Sequence, residues 1–90
     1  MINQSEIYRV LLSWIEIARL GDFKKFNELR SRFGQVEIGT FGEVPERIKN
    51  PRAMQYDRVR NELVRYSGDK DPTDLRLAIE DFSRIPKPVE

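Results

Sequence analysis

The sequence contains no cysteine and no histidine. Without cysteine it has no disulfide framework, no thiol nucleophile and no thiolate ligand for zinc. Without histidine it lacks the side chain that titrates closest to neutral pH and the commonest metal ligand. The carboxylate pairs that remain, Asp57 with Glu62 and Glu80 with Asp81, lie beside arginines on predicted helices, which is typical of surface ion pairs. We therefore expect no enzyme, no cofactor and no metal site.

The chain also lacks a large excess of charge and a long apolar run. Sixteen basic residues against fifteen acidic residues leave a net charge of +1, which argues against a basic nucleic-acid arm or an acidic tail. The most apolar stretch, 7–20, contains Arg9, Glu16 and Arg19, so it predicts neither a membrane span nor a secretory signal. A cysteine-free chain without these signals is expected in the cytoplasm, away from membranes.

Amphipathic helical patterns dominate what is present. A chain of 90 residues, 39% hydrophobic and 34% charged, has room for one domain. Four helical patterns, separated by Gly, Asp and Pro, predict an all-α fold. We expect a small bundle of about four helices over 1–85, followed by an extended tail over 86–90. Three packed helices with a loosely docked fourth are the alternative.

The first helix has the clearest boundaries and the widest apolar face. Asn3 is a candidate N-cap with Glu6 at the capping-box position, Ile2 and Ile7 match a hydrophobic staple, and Gly21 is the expected stop. The apolar residues cover roughly 220° of the helical wheel, against about 100° for a one-sided helix. The pattern predicts the central helix of the bundle, or alternatively a face that awaits a partner chain.

The segment after the first helix predicts a second helix and then a long loop. The second helix is expected to follow Asp22 and to end at Gly34. A loop over 35–50 is predicted between the second and third helices, with an extended piece at 36–38 and a single turn opened by Pro45. We expect this loop to pack through its apolar side chains, which are Val36, Ile38, Phe41, Val44 and Ile48.

Proline and acidic or amide residues mark the starts of the last two helices. Asn50 followed by Pro51 predicts the beginning of the third helix, and Gly68 its end. Asp71 followed by Pro72 predicts the beginning of the fourth helix, because aspartate caps a helix and proline suits its first position.

Two short motifs weakly resemble ligand-binding loops. The segment 69–80 resembles an EF-hand calcium loop in its acidic spacing, but Asp74 stands at the position that requires glycine. The segment 38–42 resembles the GxxG loop of KH domains, but Thr40 and Phe41 stand where those loops usually carry a basic residue. We expect neither a calcium site nor a KH domain.

A local excess of positive charge runs through the third predicted helix. The segment 46–66 carries six cations against three acids, whereas 69–81 is acidic. The two segments either pair with each other or leave a basic face for nucleic acid or an acidic partner. On a helical wheel only Arg58 and Arg65 share a direction, which disfavours DNA recognition. The nucleic-acid alternative would use Arg47, Lys49, Arg52, Arg58 and Arg65.

Elimination and surface pattern favour a non-enzymatic protein–protein interaction module, such as an adaptor, a regulatory protein or an immunity protein. Catalytic and metal chemistry are missing, the first helix is apolar over a wide arc, and Leu77 faces away from the predicted core. The expected contact residues are Trp14, Phe41 and Leu77. The expected partner is another protein, with a second copy of the chain as one option, and nucleic acid is the alternative.

Overall fold

The computed structural model describes residues 4–88, and five helices account for most of them. The helices are α1 Ser5–Leu20, α2 Phe23–Phe41, α3 Val44–Arg47, α4 Pro51–Asp69 and α5 Pro72–Ser83. No strand occurs among the described residues. The predicted all-α class is confirmed, with four long helices and one additional helix of a single turn.

The long helices pack as two pairs of consecutive helices. α1 packs mainly on α2, and α4 packs mainly on α5. α1 also contacts both α4 and α5, and α2 contacts α4. α1 and α4 therefore each contact the other three long helices, so α1 shares with α4 the central position that its wide apolar arc predicts. Ile7, Leu11 and Trp14 on its inner side are completely buried.

Aromatic rings fill the centre of the fold. The ring of Trp14 lies 5.2 Å from that of Phe26 and 5.4 Å from that of Phe33, which joins α1 to α2. Phe41 lies 5.7 Å from Tyr56, which joins the end of α2 to α4. Tilted aromatic pairs at these distances stabilise a fold beyond the area that they bury.

Most of the predicted helix boundaries are confirmed. Asp22, Asn50 and Asp71 each accept a hydrogen bond from a backbone N–H in the first turn of the following helix. Gly21 ends α1 with a φ of 76°, a left-handed conformation that glycine adopts without strain. Two residues predicted to organise the start of α1 lie outside the described residues: Ile2 and Asn3.

The predicted end of α2 at Gly34 is wrong, and with it the first half of the predicted loop over 35–50. α2 continues through Gly34 and Gly39 to Phe41. A spacing of four residues places Phe33, Glu37 and Phe41 on the buried face of the helix. Packing along this face outweighs the helix-breaking tendency of the two glycines, which is about 1 kcal/mol each.

The connection between α2 and α4 is consequently a tight corner. Gly42 ends α2 with a φ of 88° and a ψ of −171°, a conformation that other residues rarely adopt. Pro45 lies in the first turn of α3, as predicted. Three apolar side chains that were expected to pack inward are exposed instead: Ile38, Val44 and Ile48.

The chain leaves α5 through a buried residue. Ile85 follows the helix and exposes only 3% of its surface, so it anchors the end of α5 to the core. Residues 86–88 have no regular secondary structure, in agreement with the predicted tail. The last two residues of that tail lie outside the described residues.

Candidate functional site

Three exposed aliphatic side chains lie at the corner between α2 and α4. Ile38, Val44 and Ile48 expose 47%, 54% and 60% of their surface, respectively. The Gly42 N–H donates to the Ile38 carbonyl at 2.8 Å, and the Ile48 N–H donates to the Val44 carbonyl at 3.1 Å. The four-residue spacing of Val44 and Ile48 puts both on one side of α3. We call these three side chains the corner surface.

Four charged side chains meet beneath the corner. Nε of Arg47 lies 3.8 Å from Oε2 of Glu37 and 3.8 Å from Oδ2 of Asp57. Nε of Arg60 lies 3.6 Å from Oδ1 of Asp57. The side chains of Glu37 and Asp57 expose only 3% and 12% of their surface. We call Glu37, Arg47, Asp57 and Arg60 the ionic cluster, which connects α2, α3 and α4.

Arg47 attaches α3 to the rest of the molecule. α3 contributes no buried residue, so it has no apolar anchor of its own. Nη1 of Arg47 also donates to the Gly42 carbonyl at 3.4 Å, which links α3 back to the end of α2. Because Arg47 points inward, the charged side chains left exposed at this corner are those of Glu43, Glu46 and Lys49.

The ionic cluster perturbs the protonation of Glu37. Burial raises the pKa of Glu37 to about 8, and a hydrogen bond with Asp57 and the negative charge of Asp57 act in the same direction. Arg47 and Arg60 oppose this shift of the pKa. Burial and the neighbouring Asp57 therefore favour the protonated form of Glu37, whereas the two guanidinium groups favour its ionised form.

A second pair of carboxyl groups joins α4 to α5. Glu62 exposes 7% of its surface, and burial raises its pKa to about 7, together with a hydrogen bond to Asp81 and the charge of Asp81. The prediction of surface ion pairs is therefore wrong about the surface position of Asp57 and Glu62, although Asp57 does pair with Arg47 and Arg60. Both lie in helix–helix contacts, where the carboxylate is deprived of water.

The predicted partner-contact residues do not form a common surface. Trp14 is completely buried and Phe41 exposes only 6% of its surface, so their assignment as contact residues is wrong. Both rings are enclosed by other aromatic rings of the core. Leu77 exposes 37% of its surface, so it alone of the three can meet a partner.

Two of the five cations of the predicted basic patch are held by carboxylates. Arg47 belongs to the ionic cluster, and Nε of Arg65 donates to Oδ1 of Asp74 at 2.8 Å. The second contact joins α4 to α5, so one arginine of the basic helix pairs with the acidic segment that follows it. The remaining members of the patch keep outward or half-buried positions: Lys49, Arg52 and Arg58.

The described residues hold no arrangement typical of a metal site or a membrane span. No group of three His, Cys, Asp or Glu side chains within 4–88 converges as metal ligands. In the segment that resembles an EF-hand, Asp71 caps α5 and its N–H donates to Asp69 at 2.9 Å. Within the same part of the chain, no helix combines the length and apolar character that crossing a membrane requires.

Sequence reasoning missed the ionic cluster because it placed 35–41 in a loop. Had that segment been interpreted as helix, the four-residue spacing of Phe33, Glu37 and Phe41 would have put a carboxylate on an apolar face. A charged residue in such a position rarely lies buried without a partner of opposite charge. Arg47 carries no comparable signal in its local sequence.

Comparison with known proteins supplies no relative. No protein-family model matches the chain, and no curated protein and no solved structure is significantly similar to it.

Proposed function

We propose that this chain is a non-enzymatic protein-interaction module that contacts its partner through the corner surface. The observation that carries the proposal is the joint exposure of Ile38, Val44 and Ile48 at one corner of the fold. Removing apolar surface from water stabilises a complex by about 25 cal/mol per Å². Clustered exposed apolar side chains are typical of interaction surfaces, whereas single ones are common on any protein.

The corner is held in place before any partner arrives. Gly42 sets the turn, Arg47 connects α3 to α2 and α4, and Phe41 packs against Tyr56 directly before the turn. A surface that is already ordered loses little conformational entropy on binding. The backbone of the corner therefore supports a defined contact.

The exposed charges around the corner surface indicate the chemistry of the partner. Glu43 and Glu46 are exposed, and Lys49 is the exposed cation beside them. Arg47 would balance these charges, but its guanidinium group is directed into the ionic cluster. We therefore propose a partner segment that presents aliphatic or aromatic side chains flanked by Lys or Arg, such as a basic amphipathic helix.

The biological setting of the module stays a prediction from the sequence. The adaptor, regulatory or immunity role and the cytoplasmic location rest on elimination and on the absence of cysteine. The expectation that the chain is not an enzyme also rests on elimination, since the sequence has neither cysteine nor histidine.

A peptide-display library provides a test that does not require a known partner. Random peptides would be selected on the wild-type protein, on the double variant Val44→Asp with Ile48→Asp, and on Leu77→Asp. The last variant is a matched control, because it places the same charge at an exposed aliphatic position outside the corner. Thermal melts of all three proteins would show that each is folded.

Selection on the wild type and on the control should enrich peptides that combine apolar anchors with Lys or Arg. The double variant should lose this enrichment, and binding should weaken with salt because part of it is electrostatic. Enrichment that survives the double substitution, depends on Leu77 or favours acidic peptides would contradict the proposal, as would no enrichment. Self-association abolished by the double variant would make a second copy the occupant and overturn the proposed partner chemistry.

A further inference from the structure

We infer that a cleft between α4 and α5 binds a small organic phosphate, that is, a phosphoryl group attached to a compact apolar or aromatic group. The cleft lies where the beginning of α4 faces the end of α5. Its lining residues are Pro51, Met54, Gln55, Arg58, Asp81 and Arg84. None of them belongs to the corner surface or to the ionic cluster, so the site is separate from the proposed function and does not depend on it.

The size and one wall of the cleft suit a small ligand with an apolar part. The cleft has a volume of about 370 Å³, and small-molecule sites occupy roughly 300–1,000 Å³. Pro51 and Met54 form the apolar wall, and Met54 exposes 43% of its surface. A ring or an aliphatic group of the ligand loses contact with water when it packs against this wall, which stabilises the complex.

Two guanidinium groups dominate the polar lining of the cleft. Arg58 is exposed and forms no ion pair or hydrogen bond within the part of the chain that the structure describes. Nη1 of Arg84 donates to Oδ1 of Asp81 at 3.1 Å, but the Arg84 side chain exposes 70% of its surface, so its other N–H groups remain accessible. A guanidinium group presents its N–H groups as a planar fork that matches two oxygens of a phosphate.

Gln55 and Arg52 add a further donor and a further positive charge. Nη1 of Arg52 donates to Oε1 of Gln55 at 3.0 Å. Because this bond uses the amide oxygen, the Gln55 side chain has its NH₂ group left as a donor for a ligand in the cleft. The same bond holds a third guanidinium group next to the lining.

The balance of charge favours a phosphate over a carboxylate or a nucleic-acid strand. Arg52, Arg58 and Arg84 bring three positive charges to the cleft, and Asp81 is the one carboxylate among the lining residues, which leaves an excess of two. A phosphate monoester carries about −1.5 to −2 charges at neutral pH and three acceptor oxygens. A carboxylate carries one charge. A nucleic-acid strand needs further cations along its backbone, and Arg65 on the same helix is already held by a carboxylate.

NMR titration of the full chain with three probes tests the site. Phenyl phosphate supplies both parts of the ligand, inorganic phosphate supplies the charge alone, and benzoate supplies a ring with a single negative charge. Phenyl phosphate should bind in the millimolar range and shift the Nε–Hε resonances of Arg58 and Arg84 together with the methyl resonance of Met54. The other two probes should bind several-fold more weakly, because each lacks one part of the ligand.

Three variants show which contacts hold the probe. Arg58→Gln should weaken the binding of phenyl phosphate and of inorganic phosphate by about tenfold, because a hydrogen bond between charged groups is lost. Met54→Ala should weaken the binding of phenyl phosphate alone. Arg30→Gln is the matched control, since it removes the same charge from an exposed position on α2 and should leave both affinities unchanged. All three positions are exposed, so each variant should fold, which thermal melts would verify.

Several results would overturn the inference. These are the absence of a saturable shift change in the millimolar range, binding of benzoate as tight as that of phenyl phosphate, and equal effects of Arg58→Gln and Arg30→Gln. Displacement of phenyl phosphate by micromolar single-stranded DNA would make the cleft part of a nucleic-acid interface and would also contradict it.

The same titration separates this site from the corner surface. The double variant Val44→Asp with Ile48→Asp leaves the cleft unaltered and should bind phenyl phosphate like the wild type. Random peptides carry no phosphoryl group, so selection of peptides on the corner surface does not report on the cleft. Failure of the phosphate titration therefore leaves the proposed function standing, and failure of the peptide selection leaves the phosphate site standing.

Discussion

Nε of Arg65 on α4 donates a 2.8 Å hydrogen bond to Oδ1 of Asp74 on α5. Hydrogen bonding to Asp74 raises the pKa of Arg65, and hydrogen bonding with Asp69 and Arg65 lowers the pKa of Asp74. The charge of Arg65 is therefore compensated within the fold. Of the two arginines that share a direction on this helix, Arg58 is the one left for an external anion.

This pairing predicts weak binding to nucleic acid. Neutralising phosphate charge requires cations, and the fold pairs Arg47 and Arg65 with its own carboxylates. Fluorescence anisotropy with labelled duplex and single strands should give dissociation constants of roughly 10⁻⁴–10⁻⁶ M at physiological salt. A submicromolar affinity, abolished by Arg58→Ala with Arg65→Ala, would instead establish the basic helix as a binding site.

Truncation of Trp14 should destabilise the fold without changing its oligomeric state. Because Trp14 is completely buried between Phe26 and Phe33, Trp14→Ala should lower the free energy of unfolding by about 3–5 kcal/mol. Leu20→Ala is the control on the same helix, since Leu20 exposes 78% of its surface. Urea denaturation and gel filtration would check both. An unchanged midpoint with a changed elution volume would make Trp14 an interface residue.

The protein should be more stable in mild acid than in mild alkali. The folded pKa values of Glu37 and Glu62 are raised to about 8 and about 7, from 4.5. Their contribution to stability is complete below pH 4.5 and is lost as the pH rises through 7 to 8. The melting temperature should therefore fall between pH 5.5 and 8.5, and the double variant Glu37→Gln with Glu62→Gln should flatten the profile.

The control for that profile is Glu28→Gln, which removes an exposed carboxylate from α2. It should reproduce the wild-type dependence on pH. A melting temperature that rises with pH in the wild type would show that ionised Glu37 and Glu62 stabilise the fold, contrary to the effect of their burial.

The glycines of α2 should respond in opposite directions to alanine. A methyl group at Gly34 meets nothing within 4 Å, so Gly34→Ala should raise the stability by about 0.5–1 kcal/mol through helix propensity. Gly42→Ala should lower it by about 1 kcal/mol or more, because its φ of 88° strains any other residue. Urea denaturation would measure both. Equal effects would indicate that Gly42 does not set the corner.

Local signals predicted the helix boundaries where one residue type decides the conformation. Asp22, Asn50 and Asp71 cap helices because their side chains reach the free N–H groups of the next turn, whatever the rest of the fold does. The same reasoning failed at Gly34, where glycine is compatible with both a stop and a continuing helix. Burial of Phe33, Glu37 and Phe41 decided that case, and burial is a property of the whole fold.

The candidate site was less predictable than the fold because it joins distant segments. The ionic cluster needs Glu37 from α2, Arg47 from α3 and Asp57 from α4 to meet. No periodicity within a single segment contains that information. Exposure of Val44 and Ile48 depends in turn on the direction of α3, which Arg47 connects to α2 and α4.

Mapping of chemical shifts tests the central claim, that the corner surface is where this chain binds a protein segment. A basic, apolar peptide selected on the wild type would be titrated into the ¹⁵N-labelled protein. The account predicts that shift changes concentrate on residues 38–48 and vanish in the double variant Val44→Asp with Ile48→Asp. Changes centred on α5 around Leu77, or spread evenly over the molecule, would contradict it.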